Sequence, residues 1–187
     1  GRTPAGEAKV RSWVGNGAAV LVRRALADSA DPAQVNRVED ALQLQALKIF
    51  HACYHEENGR LTRLYPGVPD VLNVLAGLQI PLAVITNKPL NFTEPLLQQM
   101  GIAHLFKSVL GGECLPHKKP HPLPLLHVCE QLGVSPAQAL MVGDSRNDVE
   151  AAKAAGFVSA ALTYGYNYGE PVAACNPDWR LDDFREL

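Results

Sequence analysis

Residues 141–156 read MVGDSRNDVEAAKAAG, and this stretch indicates the fold class because an apolar run changes directly into a helical pattern. Ser145 and Asp148 fit the S-x-x-D capping box, in which two side chains satisfy free N–H groups of the first helical turn. That role explains Asp148 but not Asp144, which follows the predicted strand. Ligand crevices of open parallel sheets lie at the carboxyl ends of the strands. Asp144 is therefore a candidate for a metal or phosphate site.

The region from residue 63 onward alternates short apolar runs with helical patterns. We predict strands within residues 80–86, 108–112, 139–143 and 158–164, and helices over 68–77, 91–100, the segment up to about 132, and 146–155. Such alternation is typical of an α/β fold with a doubly wound (Rossmann-like) parallel sheet. Asp182 and Asp183 are expected in a C-terminal tail that follows no strand.

Residues 1–62 have a different pattern, since their apolar residues recur at helical spacing and no strand is predicted. The segment Gly15-Asn16-Gly17 is expected to end one helix and open the next. We therefore predict a helical domain over residues 1–62 and an α/β domain over residues 63–187, with the boundary near residues 59–65.

The composition disfavours several classes of function. The net charge is −2 and no basic stripe occurs, so we expect no nucleic-acid partner. No apolar run reaches the length of a membrane span, so we expect no membrane partner either. The cysteines form no C-x-x-C pair, which argues against a zinc site or a disulfide framework and favours a reducing, cytoplasmic location: Cys53, Cys114, Cys129 and Cys175. The oligomeric state is not indicated.

Polar residues follow the predicted strands at the points where they end. Thr86 and Asn87 follow one strand, Lys119 lies in the loop after the next, and Asp144 follows the third. Because the carboxyl ends of parallel strands meet at one edge of a sheet, we expect these side chains to share a crevice.

Each of these residues also has a purely structural interpretation. Thr86 and Asn87 would cap the next helix, but Asn91 and Glu94 already fit a capping box there, which makes a second cap redundant. A lone Lys119 would be solvated, although the prolines at positions 120 and 122 stiffen its loop by fixing φ.

A hydroxyl, an amide, a lysine and a carboxylate in one crevice are the parts of a phosphoryl-transfer site. Asp144 would hold Mg²⁺, a hard cation that takes oxygen ligands. Asp148, one helical turn further on, would orient a metal-bound water or Lys119 without binding the metal itself. Lys119 would neutralise the phosphate oxygens while Thr86 donates to them.

Three segments resemble motifs of the haloacid dehalogenase superfamily, phosphatase branch: VITNK at 84–88, KKPHP at 118–122 and GDSRND at 143–148. The resemblance extends over nearly the whole chain, because residues 1–62 resemble the helical cap that this family inserts early in its core. It implies a small phosphate monoester as substrate and Thr86, Asn87 and Lys119 as catalytic residues. It also implies Asp144 as a ligand of the metal and Asp148 as a residue that supports the metal site without binding the ion directly.

The family's first motif, D-x-D-x-T, is absent from this sequence. In the family its first Asp attacks phosphorus to form an aspartyl-phosphate, and its second is acid and base to the leaving oxygen. The motif lies on a central strand, ahead of the cap. We therefore expect the chain to be a fragment that begins inside the cap, lacks the nucleophile and the first core strand, and is inactive by itself.

The helical region offers candidates for substrate binding. Glycine permits close approach of a backbone, which favours the turn Gly15-Asn16-Gly17, and Arg24 supplies a cation for a small substrate that bears a carboxylate. A plain interhelical turn and a solvated arginine would have the same sequence. Three tyrosines lie at or just after the end of the last predicted strand and either border the crevice or pack: Tyr164, Tyr166 and Tyr168.

Two other functions fit part of the pattern. A phospho-receiver module also uses a Mg²⁺-binding acid cluster, a Thr and a Lys, but it needs no cap. A 2-haloacid dehalogenase of the same fold needs no metal, which the acidic pair Asp144 and Asp148 disfavours.

Overall fold

The structure is a computed structural model that describes residues 3–187. Its first part is helical: α1 is Glu7–Arg11, α2 is Ala18–Ala27, α3 is Pro32–Val35 and α4 is Asp40–Glu57. Helix α2 packs against α3 and α4. The expectation of helices without strands up to residue 62 is therefore confirmed over residues 3–62, since the described strands begin at Ala83. Residues 1 and 2 lie outside the described range, and the division into two domains stays a prediction.

The second part alternates helices and strands. In chain order they are α5 Val68–Gly77, β1 Ala83–Ile85, α6 Leu90–Gln99, β2 Ser108–Leu110, α7 Leu123–Leu132, β3 Leu140–Gly143, α8 Arg146–Ala155, β4 Val158–Leu162 and β5 Trp179–Leu181. Short 3₁₀ turns lie at Ala103–Leu105, Pro136–Gln138, Val172–Cys175 and Phe184–Glu186. Each of β1 to β4 falls inside a predicted strand, and α5 and α8 match their predicted bounds.

All strand pairs are parallel, which confirms the α/β class. Strand β1 pairs with β2, and β3, β4 and β5 form a second sheet in that order. In register, Ile85 lies opposite Leu110 and Gly143 opposite Ala161. Within residues 3–187 no strand joins β1 to β3, so the two sheets are separate.

One layer of helices covers both sheets. Leu125 of α7 is fully buried against Ala151 and Ala152 of α8, and both Ile85 of β1 and Met141 of β3 pack on this cluster. The core that positions the strand ends is therefore continuous across the two sheets. No helix formed by residues 3–187 has the length and apolar character that crossing a bilayer requires.

Strand β5 corrects one expectation, because Asp182 and Asp183 do follow a strand. Trp179 and Arg180 are exposed and only Leu181 is buried, so the segment has no apolar run that would predict a strand. Its pairing depends instead on tertiary neighbours, since it lies beside β4 in parallel register.

The start of α6 corrects a second expectation. The helix begins at Leu90 with Pro89 at its N-cap and has no side-chain cap, so the predicted capping box of Asn91 and Glu94 is wrong. Proline has a fixed φ suited to a helix start, and here it moves the start ahead of Asn91.

Candidate active site

Asp148 anchors the amino end of α8. With Ser145 it forms the capping box that the sequence predicts. Its Oδ2 atom accepts from Ser145 N at 3.0 Å, from Ser145 Oγ at 2.8 Å and from Asp144 N at 3.2 Å. These bonds come from the turn between β3 and α8, and they fix the carboxylate in one orientation.

The other oxygen of Asp148 holds Lys119. Lys119 Nζ lies 2.7 Å from Asp148 Oδ1, and both side chains are 9% exposed. Lys119 also donates to the backbone oxygen of Ile85, at the end of β1. The ammonium therefore lies between the ends of the two sheets, in a position fixed by two partners with little water to screen it.

Asp144 lies at the carboxyl end of β3, and burial raises the pKa of its carboxyl group. Asp148 raises this pKa further, whereas the N–H of Tyr166 and the charge of Lys119 lower it. The hydrogen bond from Tyr166 N to Asp144 Oδ2 is 2.8 Å long. A carboxylate has about four lone-pair sites, so this bond leaves Asp144 able to accept further ligands.

Thr86 and Asn87 follow β1 and make different contacts. Thr86 Oγ1 accepts from Lys88 N at 3.1 Å, which is a bond within the local turn. Thr86 therefore does not cap the following helix α6. Asn87 Nδ2 donates to Gly15 O at 3.0 Å and to Lys119 O at 2.9 Å. The amide of Asn87 therefore links the first interhelical turn to the lysine loop.

A cavity of about 610 Å³ separates the helical region from the strand ends. On the sheet side it is lined by all five candidates predicted at the strand ends: Thr86, Asn87, Lys119, Asp144 and Asp148. On the helical side Val14, Leu21, Phe50 and Tyr54 give an apolar roof. The predicted polar residues are thus brought together on one side of a cavity whose other side is helical.

Only some of the substrate-binding candidates predicted in the helical region line this cavity. Gly15 and Gly17 line it, whereas Asn16 and Arg24 are not among the described residues that do. Arg24 donates to Trp13 O at 2.7 Å, and its guanidinium lies 5.7 Å from the ring centre of Tyr168. Its contacts support the turn from outside the cavity.

Sequence reasoning missed several polar contacts around this site. Lys118 Nζ donates to Asn16 O at 2.6 Å, and burial lowers the pKa of Lys118. Asn147, next to Asp148, and Tyr168 both bond to Asn16. The GDSRND and KKPHP motifs contain two of these residues, but sequence alone gives no sign of their partners.

The tyrosines after β4 have separate roles. Tyr164 packs on Tyr65 with ring centres 4.5 Å apart, so the packing interpretation holds for it. Tyr166 contributes its backbone N–H to Asp144 and borders the cavity. Tyr168 reaches the Gly15-Asn16 turn with its hydroxyl.

The fit to Mg²⁺ depends on the oxygen donors. Within residues 3–187 no cluster of three His, Cys, Asp or Glu side chains forms a complete metal site. Mg²⁺ needs no such cage, because it keeps several waters and is usually bound by one or two carboxylates and the phosphate of the substrate. Asp144, with its carboxylate open to the cavity, fits as one of these ligands, while Asp148 is committed to Lys119 and the helix cap.

Comparison with known proteins identifies the class. The family model of haloacid dehalogenase-like hydrolases matches residues 2–156, and the chain belongs to this family. This agrees with the motif resemblance, the parallel sheet and the position of Lys119 and Asp144 at the strand ends.

Particular relatives share more of the sequence. The chain is 53% identical over 187 residues to a phosphoglycolate phosphatase of Pseudomonas putida and covers 67% of that protein. It is 46% identical over 179 residues to a phosphoglycolate phosphatase of Pasteurella multocida, of which it covers 79%. A crystal structure of a predicted phosphoglycolate phosphatase from Haemophilus somnus superposes with a TM-score of 0.88 at 41% identity, covering 97% of this chain and 80% of the other.

Proposed function

We propose that the protein is a Mg²⁺-dependent phosphomonoester hydrolase whose preferred substrate is 2-phosphoglycolate. The observation that carries the proposal is the arrangement of Asp144, Thr86 and the buried Lys119–Asp148 pair around one cavity, in a haloacid dehalogenase-like hydrolase. The names of the relatives support the choice of substrate.

Each residue has a role that follows from its contacts. Lys119 is positioned by Asp148, so its charge is in place before the phosphate arrives and needs no reorganisation. The hydroxyl of Thr86 lies on the same cavity wall and would donate to a phosphate oxygen. Asp144 would hold Mg²⁺, which when bound offsets negative charge on the phosphate. Asn87 keeps the lysine loop in position through Lys119 O.

The attacking carboxylate is not among these residues. In the family it comes from the D-x-D-x-T motif, which residues 1–187 lack. We infer that a strand with this motif fits between β1 and β3, whose edges are unpaired within the described residues and lie under the same helix layer. Its first Asp would form the aspartyl-phosphate and its second would protonate the leaving oxygen.

Residues 1–62 would act as the cap that selects the substrate. The apolar roof from Val14 to Tyr54 and the close turn at Gly15 and Gly17 leave room for a small molecule. The names of the relatives favour a compact carboxylate-bearing phosphate ester, and we expect 2-phosphoglycolate to be preferred over a bulky sugar phosphate.

The experiment is phosphate release by the full-length polypeptide, with and without Mg²⁺, on 2-phosphoglycolate, a hexose phosphate and a 2-haloacid. We expect Mg²⁺-dependent hydrolysis with the highest kcat/KM for 2-phosphoglycolate. A higher value for the hexose phosphate would reject the substrate but keep the phosphatase. Halide release without Mg²⁺ would instead identify a dehalogenase, and stable phosphorylation without turnover would identify a receiver module.

A polypeptide of residues 1–187 alone gives a second test. We expect no enzymatic hydrolysis from it, because positioned charge without the attacking carboxylate leaves the covalent route closed. Mg²⁺-dependent hydrolysis by this polypeptide, with its intact mass verified, would show that a nucleophile exists within these residues.

A further inference from the structure

The Gly15-Asn16 turn is held by hydrogen bonds from three distant segments. Asn87 Nδ2 donates to Gly15 O at 3.0 Å, and Lys118 Nζ donates to Asn16 O at 2.6 Å. Asn147 Nδ2 donates to Gly15 O at 3.1 Å and to Asn16 Oδ1 at 2.9 Å. These contacts join the helical region to the strand ends at a single point.

Tyr168 completes the network. Its hydroxyl donates to Asn16 Oδ1 at 2.6 Å and lies 2.7 Å from Asn147 Nδ2, whose two protons are shared among Gly15 O, Asn16 Oδ1 and this hydroxyl. Gly15 lies so close to this hydroxyl that an added Cβ would be 2.5 Å from it. Asn147 is 7% exposed. The contact is therefore tightly packed and partly shielded from competing water.

The three segments share a feature of sequence. Asn87 directly follows Thr86, and the pairs Lys118–Lys119 and Asn147–Asp148 are adjacent in the same way. Each pair has one member that bonds to the turn, and in two of the three pairs both members line the cavity. The elements that position the phosphate-binding residues are thus the elements that hold the cover.

We propose that Asn147 and Tyr168 are positioning residues that lock the Gly15-Asn16 turn over the cavity. Only the effect of the lock on catalysis rests on the proposed function: a closed turn would exclude water and complete the active site. The lock itself is a property of the fold. Asn147 and Tyr168 contact Asn16 Oδ1, and Asn147 also contacts Gly15 O. We expect them to affect the reaction only by fixing the position of this turn.

The test compares Asn16→Ala and Tyr168→Phe with the parent in the full-length polypeptide. Each change removes hydrogen bonds within the network, so we expect amide hydrogen exchange over residues 14–22 to accelerate about 10-fold, with exchange in α7 unchanged. Asn36→Ala and Tyr65→Phe are the matched controls, since both residues are exposed and neither lines the cavity. Unchanged exchange in both network variants, or equal acceleration in the controls, would overturn the proposal.

Two further variants separate positioning from general destabilisation. Asn16→Asp keeps the Oδ1 acceptor for Asn147 and Tyr168, so it should restore slow exchange. An Asn16→Asp protein that exchanges as fast as Asn16→Ala would contradict the lock. The double variant Asn16→Ala/Tyr168→Phe should exchange more slowly than the product of the two single effects predicts, because both changes remove the same bond. Full multiplicativity would also reject it.

Steady-state kinetics then links the lock to the reaction. With 2-phosphoglycolate we expect kcat/KM of Tyr168→Phe to fall about 10-fold, with a matching loss in Asn16→Ala and recovery in Asn16→Asp. Exchange is measured without substrate, so its result stands even if the protein hydrolyses none of the tested esters. Conversely, normal hydrolysis with unchanged exchange would reject the lock and leave the phosphatase proposal intact.

Discussion

The buried ion pair between Lys119 and Asp148 allows the sharpest quantitative prediction. Replacing Lys119 by Met keeps the apolar stem but removes the ammonium, which leaves the Asp148 carboxylate buried without its counter-charge. Breaking a buried pair in this way costs roughly 3–5 kcal/mol of the free energy of unfolding. Asp148 retains three donors at Oδ2, from Ser145 and Asp144, so we expect the lower end, about 3 kcal/mol.

The assay is urea unfolding of the full-length polypeptide, followed by circular dichroism and analysed for both midpoint and slope. For a chain of this size the loss corresponds to roughly 6–12 °C in Tm. Lys9→Met is a matched control, because Lys9 Nζ and Asp28 Oδ1 are also 2.7 Å apart but 44% and 65% exposed. That surface pair should contribute less than about 1 kcal/mol.

A double variant tests the cause. Lys119→Met with Asp148→Asn removes both charges, so it should be more stable than Lys119→Met alone by roughly 1–3 kcal/mol. Its activity should nevertheless stay low, because the cation at the phosphate site is absent. If Lys119→Met lowers the free energy of unfolding no more than Lys9→Met does, the Lys119–Asp148 pair contributes no more than a surface ion pair and the prediction fails.

Three further predictions concern the full-length polypeptide. Asp144→Asn should remove most Mg²⁺-dependent activity. Because burial raises the pKa of Asp144 in the folded state, its ionised form opposes folding, so without metal the variant should be more stable than the parent at neutral pH. This advantage should disappear as the pH falls below the ordinary carboxyl range, where Asp144 is protonated in both states. Retained activity, or a gain in stability that is independent of pH in urea unfolding, would contradict this. Thr86→Val should lower kcat on the order of 10²-fold, and a normal rate would limit Thr86 to its bond with Lys88 N. Gly17→Ala should reduce the preference for 2-phosphoglycolate over a hexose phosphate, because the added Cβ would lie 3.1 Å from the backbone oxygen of Asn87. Gly101→Ala is the control, since Gly101 also has a positive φ but an added Cβ there would have no neighbour within 4 Å. An equal effect of Gly101→Ala would indicate backbone strain alone.

Local patterns were sufficient for much of the fold. The helix Arg146–Ala155 matched its prediction because a capping box starts it and Gly156 in the left-handed region ends it, both of which are encoded within a few residues. The strands β1 to β4 fell inside predicted runs because each contains apolar residues bounded by turn signals. The class of sheet followed from the alternation of these elements.

The two failures had different causes: strand β5 depends on a tertiary contact, whereas the start of α6 depends on a proline in the local sequence. Strand β5 has two exposed residues and one buried residue, and it is a strand because β4 offers it a parallel edge. The box predicted at Asn91 failed because Pro89 begins the helix earlier. A short strand carries little apolar signal, so its neighbours in the sheet decide whether it forms.

The sequence by itself determined the chemistry available at the strand ends: the positions of Thr86, Lys119 and Asp144 after successive strands predicted a shared crevice, since parallel strands place their carboxyl ends together. Only the tertiary structure decided how these groups are held. The Asn147–Gly15 bond joins residues 132 apart in sequence, and the Tyr168–Asn16 bond joins residues 152 apart. Hydrogen-bond geometry requires positions defined to fractions of an ångström, which depend on the packing of every intervening element and leave no periodic trace in the chain.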